Sequence, residues 1–290
     1  MNLILTFIIT VISFLSASNT NFSEEWEDLL DPQLSKWENY LSYRHKLGND
    51  GKIPKDKNGV EISPIGFNKD ETGVFTVLNE QEGPVLRVSG KIYGSVYTRK
   101  SYRNYLLKLQ VRWGKDKYEP REDLLKDSGI LYHSIGEPGV EYWRSWMLSQ
   151  EFQVMEGHMG DFWCQGSSAI DIRSFPSEGE LMISVADVTQ PFRPFQSGYD
   201  FFCLRSANYE TPDGGWTSLE LITFEGKSLH IVNGKVVMVL ENSRYKNEEG
   251  IDIPLYEGKI QLQSEAAEVF FKDIKIKPIE SLPQAYEALF

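Results

Sequence analysis

The chain holds few of the residues that build cross-linked or metal-centred proteins, with two cysteines and four histidines in 290 residues. Cys164 and Cys203 are too few for a disulfide scaffold. They come without a CxxC pair or histidine spacing that would make a structural zinc site. In an oxidising compartment they could pair with each other, and as two separate small buried side chains they would need no partner. Basic residues are short as well, 30 Lys and Arg against 42 Asp and Glu, for a formal charge of −12. That balance leaves no basic stripe for a phosphate backbone and argues against nucleic acid. Internal repeats and low-complexity tracts are missing, and so are the crossover helices that a parallel α/β sheet requires. A long apolar run occurs once, at residues 1–18, MNLILTFIITVISFLSAS. It is too short for a convincing membrane span but suits a signal peptide cleaved near Ser18, although no Lys or Arg precedes it. No cysteine marks a lipid-anchor site there. The expectation is export, to the periplasm or beyond the cell, with no stable membrane insertion after cleavage; an uncleaved anchor is the alternative.

After this run, Ser23–Leu30 predicts a short capped helix with an acidic first turn, ended near Pro32. Leu34, Trp37 and Leu41 extend it loosely. Residues 48–66 are rich in Gly, Pro, Asp and Asn and read as a surface loop. From there on, short apolar-alternating segments follow one another between turn signals, which predicts an all-β sandwich or jelly roll. Asn233-Gly234 between HIV and KVV predicts a two-residue type I′ hairpin. The chain therefore divides into a signal peptide at 1–18, an N-terminal extension and loop at 19–66, and a jelly-roll domain at 67–290.

Side chains alternate across a strand, so each segment can be split into a core set and an opposite set. In Ser149–Met155, Phe152 and Val154 point one way and Glu151 and Gln153 the other. In Asp127–His133, Ile130 and Tyr132 face the core, leaving Asp127, Gly129, Leu131 and His133 opposite, so His133 would face Glu151. Elsewhere Lys108, Gln110 and Arg112 oppose Leu107, Leu109 and Val111. Glu220 opposes Leu219 and Leu221, His230 opposes Leu229 and Ile231, and Gln261, Gln263 and Glu265 oppose Ile260 and Leu262. Gathered on one curved sheet, these groups would line a polar groove. Trp143, Trp146 and Trp163 in the intervening loops would rim it, as in sites that stack aromatic rings on sugars. Trp113 and Trp216 read instead as core or strand-end packing.

Several segments together resemble the 3-keto-disaccharide hydrolase family: YLLKL at 105–109, DSGILYH at 127–133, SQEFQ at 149–153, Gly215-Trp216, HIVNG at 230–234, and GKIQLQSE at 258–265 followed by FKDIKI at 271–276. The likeness runs from about Trp37 to Ile279. It implies a concanavalin A-like jelly roll, export, and action on glycosides whose C3 hydroxyl has been oxidised to a ketone. The family's glutamate-x-glutamine strand falls on Glu151 and Gln153, its Ser-Gly strand on Asp127, Ser128 and Gly129, and its late motif on Gln263 and Glu265. His133 stands where the family often has arginine.

On such a substrate the ketone acidifies the C2 proton, so one base and one donor near O3 would suffice for elimination followed by hydration. Direct hydrolysis would require a second carboxylate, for which Glu265 and Glu220 are the contenders. The expected catalytic set is Glu151, His133 and Glu265. Arg112, Gln153, Trp146, Trp163, Glu220, His230 and Gln263 are the expected contacts to a glycoside or oligosaccharide. For Arg112 and Glu220 the plainer reading is a cross-strand ion pair. No cofactor is expected; a divalent metal held by His133, Glu151, His158 and Asp161 fits no known spacing. A non-catalytic carbohydrate-binding module on the same fold, or a structural partner in a surface complex, would carry the same pattern.

Overall fold

The structure, a computed structural model, describes residues 25–43, 52–139, 145–176, 183–198 and 200–290. Trp143 and residues 1–24, with the expected signal peptide, lie outside it. The described chain forms two antiparallel sheets packed face to face, a β-sandwich of jelly-roll type. One sheet centres on Tyr105–Lys117, flanked by Thr217–Phe224 and Ala267–Pro278. The other runs in the order Phe162–Gln165, Leu148–Met155, Asp127–Ile135, Glu257–Ser264, Gly94–Thr98 and Trp37–Leu41. Leu107, Leu109 and Val111 of the first sheet and Ile130, Phe152, Val154, Ile260 and Leu262 of the second share one apolar core between them. These are the positions that alternation assigns inward, because each sheet buries one face against its partner.

The N-terminal helix does not form among the described residues. Glu27–Asp28 is a short strand on Lys275 and Ile276, and Trp37–Leu41 pairs with Gly94–Thr98. A spacing of four, as from Trp37 to Leu41, returns to the same face of a strand as well as of a helix. The edges of both sheets, which need pairing partners, decide between them. Glu27–Asp28 and Trp37–Leu41 each belong to one of the two sheets. The hairpin at Asn233-Gly234 is as expected: both residues have positive φ, 46° and 73°, and Val232 pairs with Lys235.

Three further expectations fail at identifiable points. Arg112 and Glu220 belong to the first sheet, on the face away from the core, and do not pair with each other. Arg112 bonds Glu80 at 3.2 Å beneath the Trp216 ring, and Glu220 bonds Lys108 at 3.0 Å. His230 points inward, stacked on Phe152 at 4.3 Å, with its ring nitrogens toward Tyr132 Oη and the Gly160 carbonyl. Its neighbours Leu229 and Ile231 are buried on the opposite side, under Leu282, Tyr286, Leu289 and Phe290 of the C-terminal segment. Covering both faces of that strand erases the polar alternation on which the assignment rests.

His133 also lies in the core. The pairing register slips between Gln150 and Leu148, and His133 takes a φ of 52°, so the side chain after Tyr132 swings to the same side as the core. The ring packs on Tyr132 and Tyr105 and is 1% exposed, with the Leu255 backbone as its polar neighbour. Burial pushes its pKa down to about 3. A neutral core histidine is not a proton carrier for Glu151. Replacing it by phenylalanine is expected to change turnover less than about threefold and stability by no more than ~2 kcal/mol, since an apolar ring of similar shape replaces a fully buried neutral imidazole with at most one polar contact to lose. Steady-state rates and a denaturant melt on His133→Phe check both.

Candidate active site

The face of the second sheet turned away from the core carries a polar surface built in rows. Glu151 lies between Trp163 and Leu131, and Leu131 next to Gln261. One pleat along, Gln153 pairs with Gly129, and Gln263 with Ser95. A further pleat along, Asp127 pairs with Met155 and bridges Glu265. Even spacing along each strand and in-register pairing between strands thus bring residues far apart in sequence onto one surface.

Gly129 sits at its centre. A Cβ at this position would come within 3.0 Å of both Glu151 Oε1 and Gln263 Oε1, so the missing side chain is what lets these two groups meet. Glu151 is 2% exposed, and its other oxygen, Oε2, accepts a hydrogen bond from Gln165 Nε2. Gln263, 1% exposed, has no partner among the described residues on either amide atom. Gln261, by contrast, is fully engaged, accepting from Ser95 Oγ and the Met147 N–H and donating to Ser134 Oγ. Gln153 turns back on its own strand and accepts the Val154 N–H at 3.0 Å. Gln261 is therefore scaffold, whereas Gln263 keeps two hydrogen-bonding atoms for a ligand.

Three carboxyls share this surface with one guanidinium. Arg121 reaches Asp127 at 2.6 Å and Glu265 at 3.8 Å. Burial pushes Asp127 up to about 6, against the pull of Arg121. Burial and the neighbouring Asp127 raise Glu265 well above the usual carboxylate range. Glu151 is pushed up to about 8, chiefly by burial, with the Gln165 hydrogen bond working against it and Asp127 adding to it. One cation cannot compensate three buried anions, so the cluster holds protons at neutral pH. A glutamic acid that exchanges its proton near pH 8 is suited to act as both base and acid.

The aromatic rim is narrower than the sequence suggests. Trp146 is buried against Tyr93, Leu131 and Ala266, and its Nε1 donates to Gln165 Oε1 at 2.7 Å. Trp163, adjacent to Glu151, is half-buried, stacks on Phe202 at 4.9 Å, and has an unpartnered Nε1. Trp113, within the Tyr105–Lys117 strand, donates its Nε1–H to Glu210 Oε1 at 3.1 Å. His158 and Asp161 are tied to each other and to Arg205, all at 3.0 Å. With His133 in the core, the four proposed metal ligands do not converge, and among the described residues no three His, Cys, Asp or Glu side chains form a cation site. Cys164 and Cys203 are free thiols packed in a second apolar cluster.

Sequence reasoning missed Arg121 and Gln165. Arg121 lies in a loop with no periodicity to read. Gln165 was legible, because it stands two residues from Trp163 on a short strand and so shares its face.

The family model for the 3-keto-alpha-glucoside-1,2-lyase-like domain matches residues 25–277. No curated protein matches the sequence. Among solved structures, two candidate glycosyl hydrolases of Parabacteroides distasonis are similar. One is 18% identical over 85% of this chain and 90% of its own, with a TM-score of 0.44. The second is 16% identical over 88% and 100%, with a TM-score of 0.46. The carbohydrate-binding module CBM66 of Bacillus subtilis is 11% identical over 70% and 91%, with a TM-score of 0.39.

Proposed function

Because the chain belongs to the 3-keto-alpha-glucoside-1,2-lyase-like domain family, we propose that it cleaves the glycosidic bond of sugars bearing a ketone at C3. Glu151 is the acid-base group. Its carboxylate removes the C2 proton, and the C2–H electrons form the enolate of the C3 ketone. The enolate then re-forms the ketone while the C1–O bond breaks, leaving a C1=C2 double bond. The departing alkoxide takes a proton, for which Glu151 in its newly protonated form is placed. Water adds across the double bond, oxygen to C1 and hydrogen to C2, completing a net hydrolysis. Gln263 offers a donor and an acceptor to the ketone or hydroxyls, and Trp163 offers a ring and an N–H.

The observation that carries this reading is the pair formed over Gly129, a carboxyl poised to exchange a proton beside an amide with both atoms uncommitted. With a pKa near 8, about a tenth of Glu151 is ionised at pH 7, enough base to act while most of the group remains an acid. The apolar leader at residues 1–18 supports action outside the cytoplasm. The test is product release from a disaccharide and from its 3-keto form by the purified mature protein. Release from the ketone alone is expected. If neither is cut but either raises the melting temperature, the chain is a carbohydrate-binding module instead.

A further inference from the structure

We infer that Trp146 and Gln165 form a one-way hydrogen-bond relay that fixes Glu151 Oε1 as its proton-exchanging oxygen, which makes Gln165 a positioning residue. The argument starts at the indole. A tryptophan N–H can only donate, so the Gln165 atom facing Trp146 Nε1 at 2.7 Å must be the carbonyl oxygen. That settles the orientation of the amide, and its NH2 end is turned to Glu151 Oε2. The reversed amide would set a carbonyl against the carboxyl and leave the indole facing a second donor.

Glu151 Oε2 is thereby an acceptor in both protonation states. The proton resides on Oε1, the oxygen that stands over Gly129 beside Gln263 Oε1. Neutral Glu151 presents an O–H there, and ionised Glu151 a lone pair. The backbone supports the arrangement, since the Gln165 N–H donates to Ser168 Oγ at 3.0 Å and Trp146 is 5% exposed among Tyr93, Leu131 and Ala266. Trp146 thus serves the carboxyl rather than a sugar ring. The other titratable or charged groups near Glu151 are Asp127 and Glu265 on the same face, Arg121 bound to them, and Cys164 on the adjoining strand. None of these bonds the Gln165 side chain.

The inference rests on Glu151 being the acid-base group, but it can be read without turnover. Carboxyl-13C-glutamate protein is titrated by NMR, with the Glu151 signal identified by its loss in Glu151→Gln. Gln165→Met removes the donor to the charged form, so the Glu151 midpoint is expected to rise by about one pH unit. Trp146→Phe keeps an aromatic ring but frees the amide, so a smaller rise is expected. The double variant should match Gln165→Met, because the indole acts only through the amide. The midpoint of kcat/KM against pH should move with the NMR value. An unchanged midpoint in Gln165→Met, or additive shifts in the double variant, would overturn the relay. Trp146→Phe alone decides the matter if Gln165→Met does not fold. If the carboxyl shifts as expected but the wild type cuts no 3-keto-glycoside, the relay stands and the enzymatic reading falls.

Discussion

Glu151→Gln should lower kcat on a 3-keto-glycoside by about a thousandfold or more, with KM changed only a fewfold. A positioned acid-base group contributes roughly 10²–10⁴ in rate, and in the proposed route one side chain both takes the C2 proton and gives a proton to the leaving group. The amide keeps the size of the carboxylic acid that predominates at pH 7, so substrate binding should survive. Steady-state kinetics with a thermal-shift titration separates the two effects, and a variant with wild-type turnover would remove Glu151 from the chemistry.

The same variant tests the electrostatics. Glu151 titrates near 8 in the folded chain and near 4.3 when unfolded, so between these values the native state binds the extra proton. That contribution is fully present below the unfolded pKa and is lost as pH rises through the folded one. It falls by ~1.4 kcal/mol per pH unit across the window. Wild-type stability should therefore decline from pH 5 to 8 more steeply than that of Glu151→Gln. Asp127 and Glu265 are shifted in the same direction, and because the Glu151 charge helps to raise Glu265, the difference between the two proteins includes that coupling. Activity should run the other way, since the ionised base accumulates towards pH 8. The site is built at the expense of the fold's stability in the range where it works.

How far this was legible in the sequence depends on which kind of information each residue needs. Glu151, Gln263 and Glu265 were readable because polar and apolar side chains alternate along their strands, although both faces of those strands are buried. Alternation says in or out, however, and not on which of two sheets. Arg112 and Glu220 look equivalent to Glu151 in sequence but lie on the far side of the sandwich. His133 was lost to a one-residue irregularity, which reverses every facing beyond it. His230 was lost because the last residues of the chain cover a surface that would otherwise face water. Arg121 required loop geometry that no periodicity records. The fold class, resting on many strands at once, tolerates such local errors, whereas a site resting on single side chains does not.

Gly129→Ala should be nearly as damaging as loss of Glu151, cutting kcat/KM at least about a hundredfold, although a methyl group carries no chemistry. Gly129 does not have a positive φ, so the backbone itself would accept alanine. The obstacle is that the new Cβ would fall within 3.0 Å of Glu151 Oε1 and Gln263 Oε1. Overpacking of this kind costs ~1–3 kcal/mol, and relief requires turning at least one of the two away from the position where the C2 proton and the ketone oxygen are to be met. Glu151 Oε2 is held by Gln165, so Gln263 should give first. Gly129→Ala combined with Gln263→Ala therefore separates stability from function. Shortening Gln263 removes half of the clash and should restore much of the melting temperature. Turnover should remain low, because the amide proposed to contact the ketone or hydroxyls is gone. Recovery of both together would show that Gln263 only fills space, and that Gly129 is glycine for packing rather than for the pairing of a carboxyl with an uncommitted amide.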